Sequence, residues 1–171
     1  MKIQVAGLSD GIHSYHFQLP ATDLDLGGNF QNDVLVDTTL DKAGSQIYLR
    51  ASVQTTGIFP CDRCITDFTT PLASSYQMYY VTEGSDYGHM DPTEVQVVSP
   101  GFSVIDLTDD VRQTVLLSVP FKLLCSETCK GLCSRCGKNL NKESCSCTES
   151  SADPRWEKLR SLQKNNMQGQ N

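Results

Sequence analysis

The sequence predicts an α+β fold: a mainly antiparallel β body with one packed helix, a cysteine-rich zinc-knuckle appendage and a C-terminal helix. Three observations predict it. Two strand-like runs, residues 34–40 and 46–56, flank a turn, and in the second Ile47, Leu49, Ala51 and Val53 recur at the period of a half-buried strand. The period switches once to helical spacing, over residues 106–118. Six of the eight cysteines crowd into residues 125–147. The expected organisation is a body over residues 1–120, a cysteine-rich segment over 121–148, and a linker, short helix and disordered end over 149–171.

Taken in order, residues 2–7 and 13–19 read as short strands punctuated by Gly7, Gly11 and Pro20. Residues 29–32 read as loop. Val34 to Leu40 and Gln46 to Thr56 are the clearer strands, joined by a turn expected at Asp41-Lys42-Ala43-Gly44. In the second, Ile47, Leu49, Ala51 and Val53 share one face, and Gln46, Tyr48, Arg50 and Ser52 the other. Cys61-Asp-Arg-Cys64 follows Pro60 at the turn into the next strand, Phe68 to Val81. A polar loop over 82–93 leads to a short strand, Glu94 to Val98, stopped by Pro100-Gly101.

In the helix, Leu107, Val111 and Val115 lie four apart, and Leu116 and Leu117 are expected to widen the apolar face. Asp106 or Thr108 can cap it, Asp109 and Asp110 suit its positive end, and Pro120 stops it. Beyond the cysteines, Asp153-Pro154 is a helix start, followed by Trp156, Leu159 and Leu162 at helical spacing.

No apolar run near the N-terminus has signal-peptide length, and the stretch from Val115 to Cys125 is broken by Ser118, Pro120 and Lys122. A soluble cytoplasmic protein is expected. The net charge of −6 is divided unevenly. Residues 1–120 hold 5 Lys+Arg against 15 Asp+Glu, net −10; residues 121–171 hold 9 against 5, net +4. An acidic body repels phosphate, whereas a basic tail suits nucleic acid or an acidic partner.

Cys133-Ser-Arg-Cys136-Gly137 has the form of a zinc knuckle. Two thiolates two residues apart grip one ion from a tight turn, and the following glycine permits positive φ. A tetrahedral site needs two more ligands, and Cys145 and Cys147 are the nearest downstream. Cys61, Cys64, Cys125 and Cys129 then remain for a second four-cysteine site, which would tie the tail to the body. A rival stays open at this point: one site drawn from the six tail cysteines, with Cys61 and Cys64 as free or buried thiols. One or two structural zinc ions are thus expected.

Redox chemistry at Cys61-x-x-Cys64 would want a following helix, but Ile65 to Pro71 is β- and turn-like. His13, His16 and His89 read as surface residues, and no phosphate loop, G-x-S-x-G or H-E-x-x-H occurs. The expectation is a binding protein, not an enzyme, with no catalytic residues, no small-molecule substrate and no membrane. Lys130, Arg135, Lys138 and Lys142 decorate the knuckle loops, and Arg155 and Lys158 the terminal helix, where they suit phosphate contacts. Trp156 either stacks on a base or packs with Leu159 against the body.

Several segments together resemble the YceD family, the large ribosomal RNA subunit accumulation proteins. They are Pro60-Cys-Asp-Arg-Cys64; Ile105-Asp-Leu-Thr-Asp-Asp-Val111 leading to Leu116-Leu-Ser-Val-Pro120; the run Cys129 to Asn141; Cys145-Ser-Cys147; and Asp153-Pro-Arg-Trp156. The resemblance spans about residues 34 to 163. It implies a role in accumulation or processing of the large-subunit 23S ribosomal RNA in bacteria or plastids. The implied partners are ribosomal RNA, a large-subunit ribosomal protein, or both. Some members lack the distal knuckle yet keep the first pair, which implies two separable metal sites. Ser134 stands where proline is more usual.

Overall fold

The computed structural model describes residues 1–84, 87–88 and 90–147. The expected helix after Asp153-Pro154, and His89, lie outside the described residues. Among the described residues, seven strands and one α-helix follow in order: β1 Lys2–Gln4, β2 Gly11–Leu19, β3 Val34–Ala43, β4 Gln46–Pro60, β5 Asp67–Thr82, β6 Val95–Val98, β7 Val104–Asp106 and α1 Thr108–Leu117. This is the α+β arrangement with an antiparallel sheet body that the alternation predicts. By contact the chain divides into two compact units, Met1–Cys129 and residues from Lys130 onward.

The first unit is built on a five-stranded sheet in the order β2-β3-β4-β5-β6. The first four strands form an antiparallel meander. β6 pairs with β5 in parallel, which the sequence did not reveal. Parallel neighbours need a crossover of about a dozen residues, and residues 83–94 supply it. β1 and β7 pair antiparallel as a separate ribbon in which Ile3 faces Ile105. A three-residue strand such as β7 is too short to carry a readable period. The β3–β4 turn is two residues later than expected. β3 runs to Ala43, paired with Gln46, so Gly44 and Ser45 alone turn the chain. Gly44 has φ +57°, at the place where a two-residue hairpin favours glycine.

Alternation along β4 is unbroken. Ile47, Leu49, Ala51, Val53, Thr55 and Phe59 point into the core, with Val34, Val36 and Leu40 of β3 beside them. α1 covers this face, resting on β4 and β5 through Leu107, Val111 and Val115. The N-cap is Leu107, which makes no side-chain capping bond; Asp106, one residue before it, steadies the first turn, its Oδ1 accepting from the Thr108 hydroxyl at 2.6 Å and from the Thr108 N–H at 3.0 Å. Those bonds, the hydroxyl first, hold its carboxyl below the ordinary value. Leu116 and Leu117 do not widen the buried face; they are 39% and 83% exposed, because the helix meets the sheet along one narrow stripe. The opposite face of the sheet is largely open to solvent, as antiparallel sheets allow, though Val81 at its end is buried.

One glycine is required by packing. A Cβ on Gly57 would lie 2.3 Å from Cε2 of the buried Phe59 ring. That ring meets Phe30 edge-on at a centroid distance of 5.8 Å, and Phe30 bridges to Gly57 in turn. Gly57→Ala should therefore destabilise the fold by about 1–3 kcal/mol, the range for overpacked cores. Urea denaturation checks it, and an unchanged midpoint would show that the ring can move aside.

Candidate metal centres

β4 and β5 are 15 and 16 residues long and remain in register to their end, where Pro60 pairs with Asp67. Residues 61–66 turn between them. Cys61 continues the inward parity of β4 and is buried, as is Cys64. The Cys61 N–H donates to Thr66 O at 3.0 Å, and the Ile65 N–H to Cys61 O at 2.8 Å. Ile65 takes φ +56°, a conformation that a β-branched residue rarely adopts.

The segment after α1 returns to this turn. Asp62 holds it twice at Leu123, accepting its N–H on Oδ2 at 2.7 Å and donating its own N–H to Leu123 O at 2.8 Å. Arg63 reaches across with Nη1, donating to Glu127 O at 3.1 Å and to Cys129 O at 2.9 Å. These contacts set Cys125 and Cys129 opposite the first pair. Cys61 Sγ lies 3.8 Å from Cys129 Sγ, and Cys64 Sγ 3.7 Å from Cys125 Sγ.

The second unit repeats the turn. The Cys133 N–H donates to Lys138 O at 2.8 Å, and the Gly137 N–H to Cys133 O at 2.9 Å. These are the same two bonds at the same spacing as in residues 61–66. Gly137, with φ +72°, occupies the place of Ile65. Leu132 bridges to Asn139, closing a small hairpin over the knuckle. Cys145 Sγ lies 3.5 Å from Cys133 Sγ, and Cys147 completes the group.

Within each set of four cysteines, all sulfurs lie within 4.8 Å of one another, so each could hold a metal ion. The spacing fits one. A tetrahedron with metal–sulfur bonds of about 2.3 Å has sulfur–sulfur edges of about 3.8 Å, close to the 3.5–3.8 Å seen here. A disulfide would bring two sulfurs to about 2.05 Å. The rival arrangement, with Cys61 and Cys64 left out of any cluster, is not the one adopted.

The thiol chemistry suits a cation. The Cys125 N–H first, then those of Arg63 and Cys64, pull the Cys61 thiol down to about 6 against the cost of desolvation. The N–H groups of Cys136 and then Arg135 pull Cys133 down to about 6. One thiol in each cluster goes the other way. The hydrogen-bonded Cys129 thiol pushes Cys125 up to about 12, and Cys136 does the same to Cys147. Four adjacent thiols thus do not all ionise on their own, and a bound cation would compensate their charge.

Lys130, Arg135, Lys138 and Lys142 are exposed on the second unit, where Lys138 Nζ also pairs with Glu143 at 3.0 Å. Arg155, Trp156 and Lys158 lie outside the described residues. Sequence reasoning passed over Asp62 and Arg63. A signal was present, because both knuckles read Cys-x-Arg-Cys.

A strand-rich unit with one four-cysteine cluster, followed along the chain by a unit with a second, defines a class of protein organised around thiol knuckles. The chain belongs to the YceD family: residues 49–163 match the family described as large ribosomal RNA subunit accumulation protein YceD. It is 35% identical over 63 residues to a protein of Arabidopsis thaliana named large ribosomal RNA subunit accumulation protein YCED homolog 1, chloroplastic. That match covers 37% of this chain and 20% of the plant protein. It is 27% identical over 128 residues to uncharacterised proteins of Mycobacterium bovis and Mycobacterium tuberculosis, covering 72% of this chain and 59% of theirs. The chain therefore spans less than two thirds of the length of these curated relatives. No solved structure matches it.

The shared turn makes a direct prediction. Ile65→Asn relieves a left-handed strain of about 1–2 kcal/mol and should raise the unfolding midpoint. Gly137→Ile introduces the same strain and should loosen the second unit. Thermal unfolding of the two variants checks the pair. A loss of stability in Ile65→Asn would assign Ile65 a contact that outweighs its backbone cost.

Proposed function

We propose that this protein is a non-enzymatic ribosome-biogenesis factor, cytoplasmic, that supports accumulation or processing of large-subunit 23S rRNA. Family membership is the observation that carries the reading. In it, two zinc ions are bound, one by Cys61, Cys64, Cys125 and Cys129, the other by Cys133, Cys136, Cys145 and Cys147. Zinc here supplies cross-linking only; four thiolates leave it no open position for substrate. The residues supply the rest. The N–H groups around Cys61 and Cys133 favour their thiolates, while Asp62 and Arg63 bring the second pair of ligands to the first.

Charge supports a division of labour. Residues 1–129 carry 6 Lys+Arg against 16 Asp+Glu, net −10, and residues 130–171 carry 8 against 4, net +4. The basic part contacts RNA phosphate through Lys130, Arg135, Lys138, Lys142, Arg155 and Lys158, with Trp156 available to stack on a base. The acidic body contacts a basic large-subunit ribosomal protein. The same split favours a second reading, in which the protein chaperones that ribosomal protein and never touches RNA.

Two measurements test these statements. Metal analysis should return two zinc ions per chain, one in Cys133→Ser and one in Cys61→Ser. A single zinc in the unaltered chain would remove one of the sites. Ultraviolet crosslinking in cells should trap a defined stretch of 23S rRNA, and Glu at Lys130, Lys138, Arg155 and Lys158 should abolish the yield. Reads no higher than those of an unrelated acidic protein would leave the protein-chaperone reading standing.

A further inference from the structure

The open face of the sheet carries a groove of about 620 Å³. It crosses four strands at one row of the sheet, where Gln18, Leu35, Gln54 and Ala73 lie side by side on β2, β3, β4 and β5. One wall is the loop before β3, through Gln31, Asn32 and Asp33. That wall is fixed by the sheet itself. The Ile58 N–H donates to Asn29 O at 2.8 Å, the Thr55 hydroxyl to Asp33 O at 3.2 Å, and the Asn32 amide to the Thr56 hydroxyl. Phe30 anchors it in the core. The groove is therefore formed before anything enters it.

Its charge is one-sided. Three glutamines and an asparagine line it, each carboxamide offering an acceptor oxygen beside its N–H donors. Leu35, 46% exposed, lies with Pro71 and Ala73 to give it an apolar floor. Its one charged lining residue is Asp33, whose Oδ2 accepts from Gln18 Nε2 at 2.7 Å. Asp37 lies two residues beyond Leu35 on the same face of β3, paired with His16. None of the lining residues is a cation. Phosphate would meet a carboxylate here with nothing to neutralise it. A lysine or arginine side chain meets what it needs: an apolar floor for its stem, and a carboxylate and amide oxygens for its head.

We propose that this groove is the docking site for an arginine- or lysine-bearing segment of a basic protein. The inference rests on the protein-partner side of the proposed function and names its surface. The charge of the unit, net −10 over residues 1–129, steers such a segment, and Asp33 fixes where it seats.

The test uses the full chain and a fluorescein-labelled arginine–glycine repeat peptide. Asp33→Lys and Glu83→Lys change net charge equally, but only the first lies in the groove. Asp33→Lys should weaken binding roughly tenfold, as expected for removing a seated charge pair, and Glu83→Lys should leave it nearly unchanged. Amide shifts on titration should centre on Gln18, Asp33, Leu35 and Gln54. Equal weakening by the two variants, or shifts spread over all the acidic loops, would overturn the proposal, as would oligouridylate moving the groove signals where the peptide does not. Nuclease-resistant capture of ribosomal proteins from cells tests the underlying partner reading separately, so either can fail without the other.

Discussion

The unbroken register of the β4–β5 hairpin is the constraint on which the rest depends. Fifteen consecutive pairings, from Gln46 with Val81 to Pro60 with Asp67, carry the chain past the edge of the core. Because the side-chain period is two, that register decides which cysteine faces inward. A slip of one residue would turn Cys61 outward and, with it, expose Leu49, Val53 and Phe59. Core packing and the first thiol cluster are thus specified by the same pairing, and neither can change alone.

The two knuckles show what local geometry demands and what surroundings add. Both use the same pair of backbone bonds and the same positive φ at the residue after the second cysteine. The second satisfies this with glycine, which pays no steric cost. The first tolerates isoleucine because it is held from both sides, by the hairpin beneath and by Asp62 and Arg63 gripping the returning segment. Strain of this kind persists only where neighbouring structure over-determines the backbone.

What could be read in the sequence follows the reach of each signal. The β4 alternation is local, so its core residues were legible one by one. The grouping of Cys61 and Cys64 with Cys125 and Cys129 came from the leftover thiols, since Cys133, Cys136, Cys145 and Cys147 suffice for one another. The direction of β6 was not legible, because periodicity carries no information about strand polarity. Leu116 and Leu117 misled for a related reason: their spacing fits an apolar face, but the width of the stripe is set by the sheet they meet. The groove was least legible of all. Gln18, Asp33, Leu35, Gln54 and Ala73 become neighbours only through pairings between four strands, and none of them stands out in its own segment.

The two clusters would do unequal work if each held an ion. The first closes long loops, with Cys61 and Cys129 separated by 68 positions, whereas Cys133 and Cys145 are separated by 12. Chain-closure entropy grows with the logarithm of loop length, so a clip at the first site restricts the unfolded chain by about 1.5 kcal/mol more than one at the second. Burial points the same way. Three cysteines of the first cluster are buried, and none of the second. A staple serves best where it joins distant segments and water cannot compete for it, which is the first site. The second, local and half-exposed, gains little in global stability. What an ion gives there is a fixed shape for a loop whose own apolar content is too small to hold one, and that shape is what presents Lys130, Arg135, Lys138 and Lys142 to solvent.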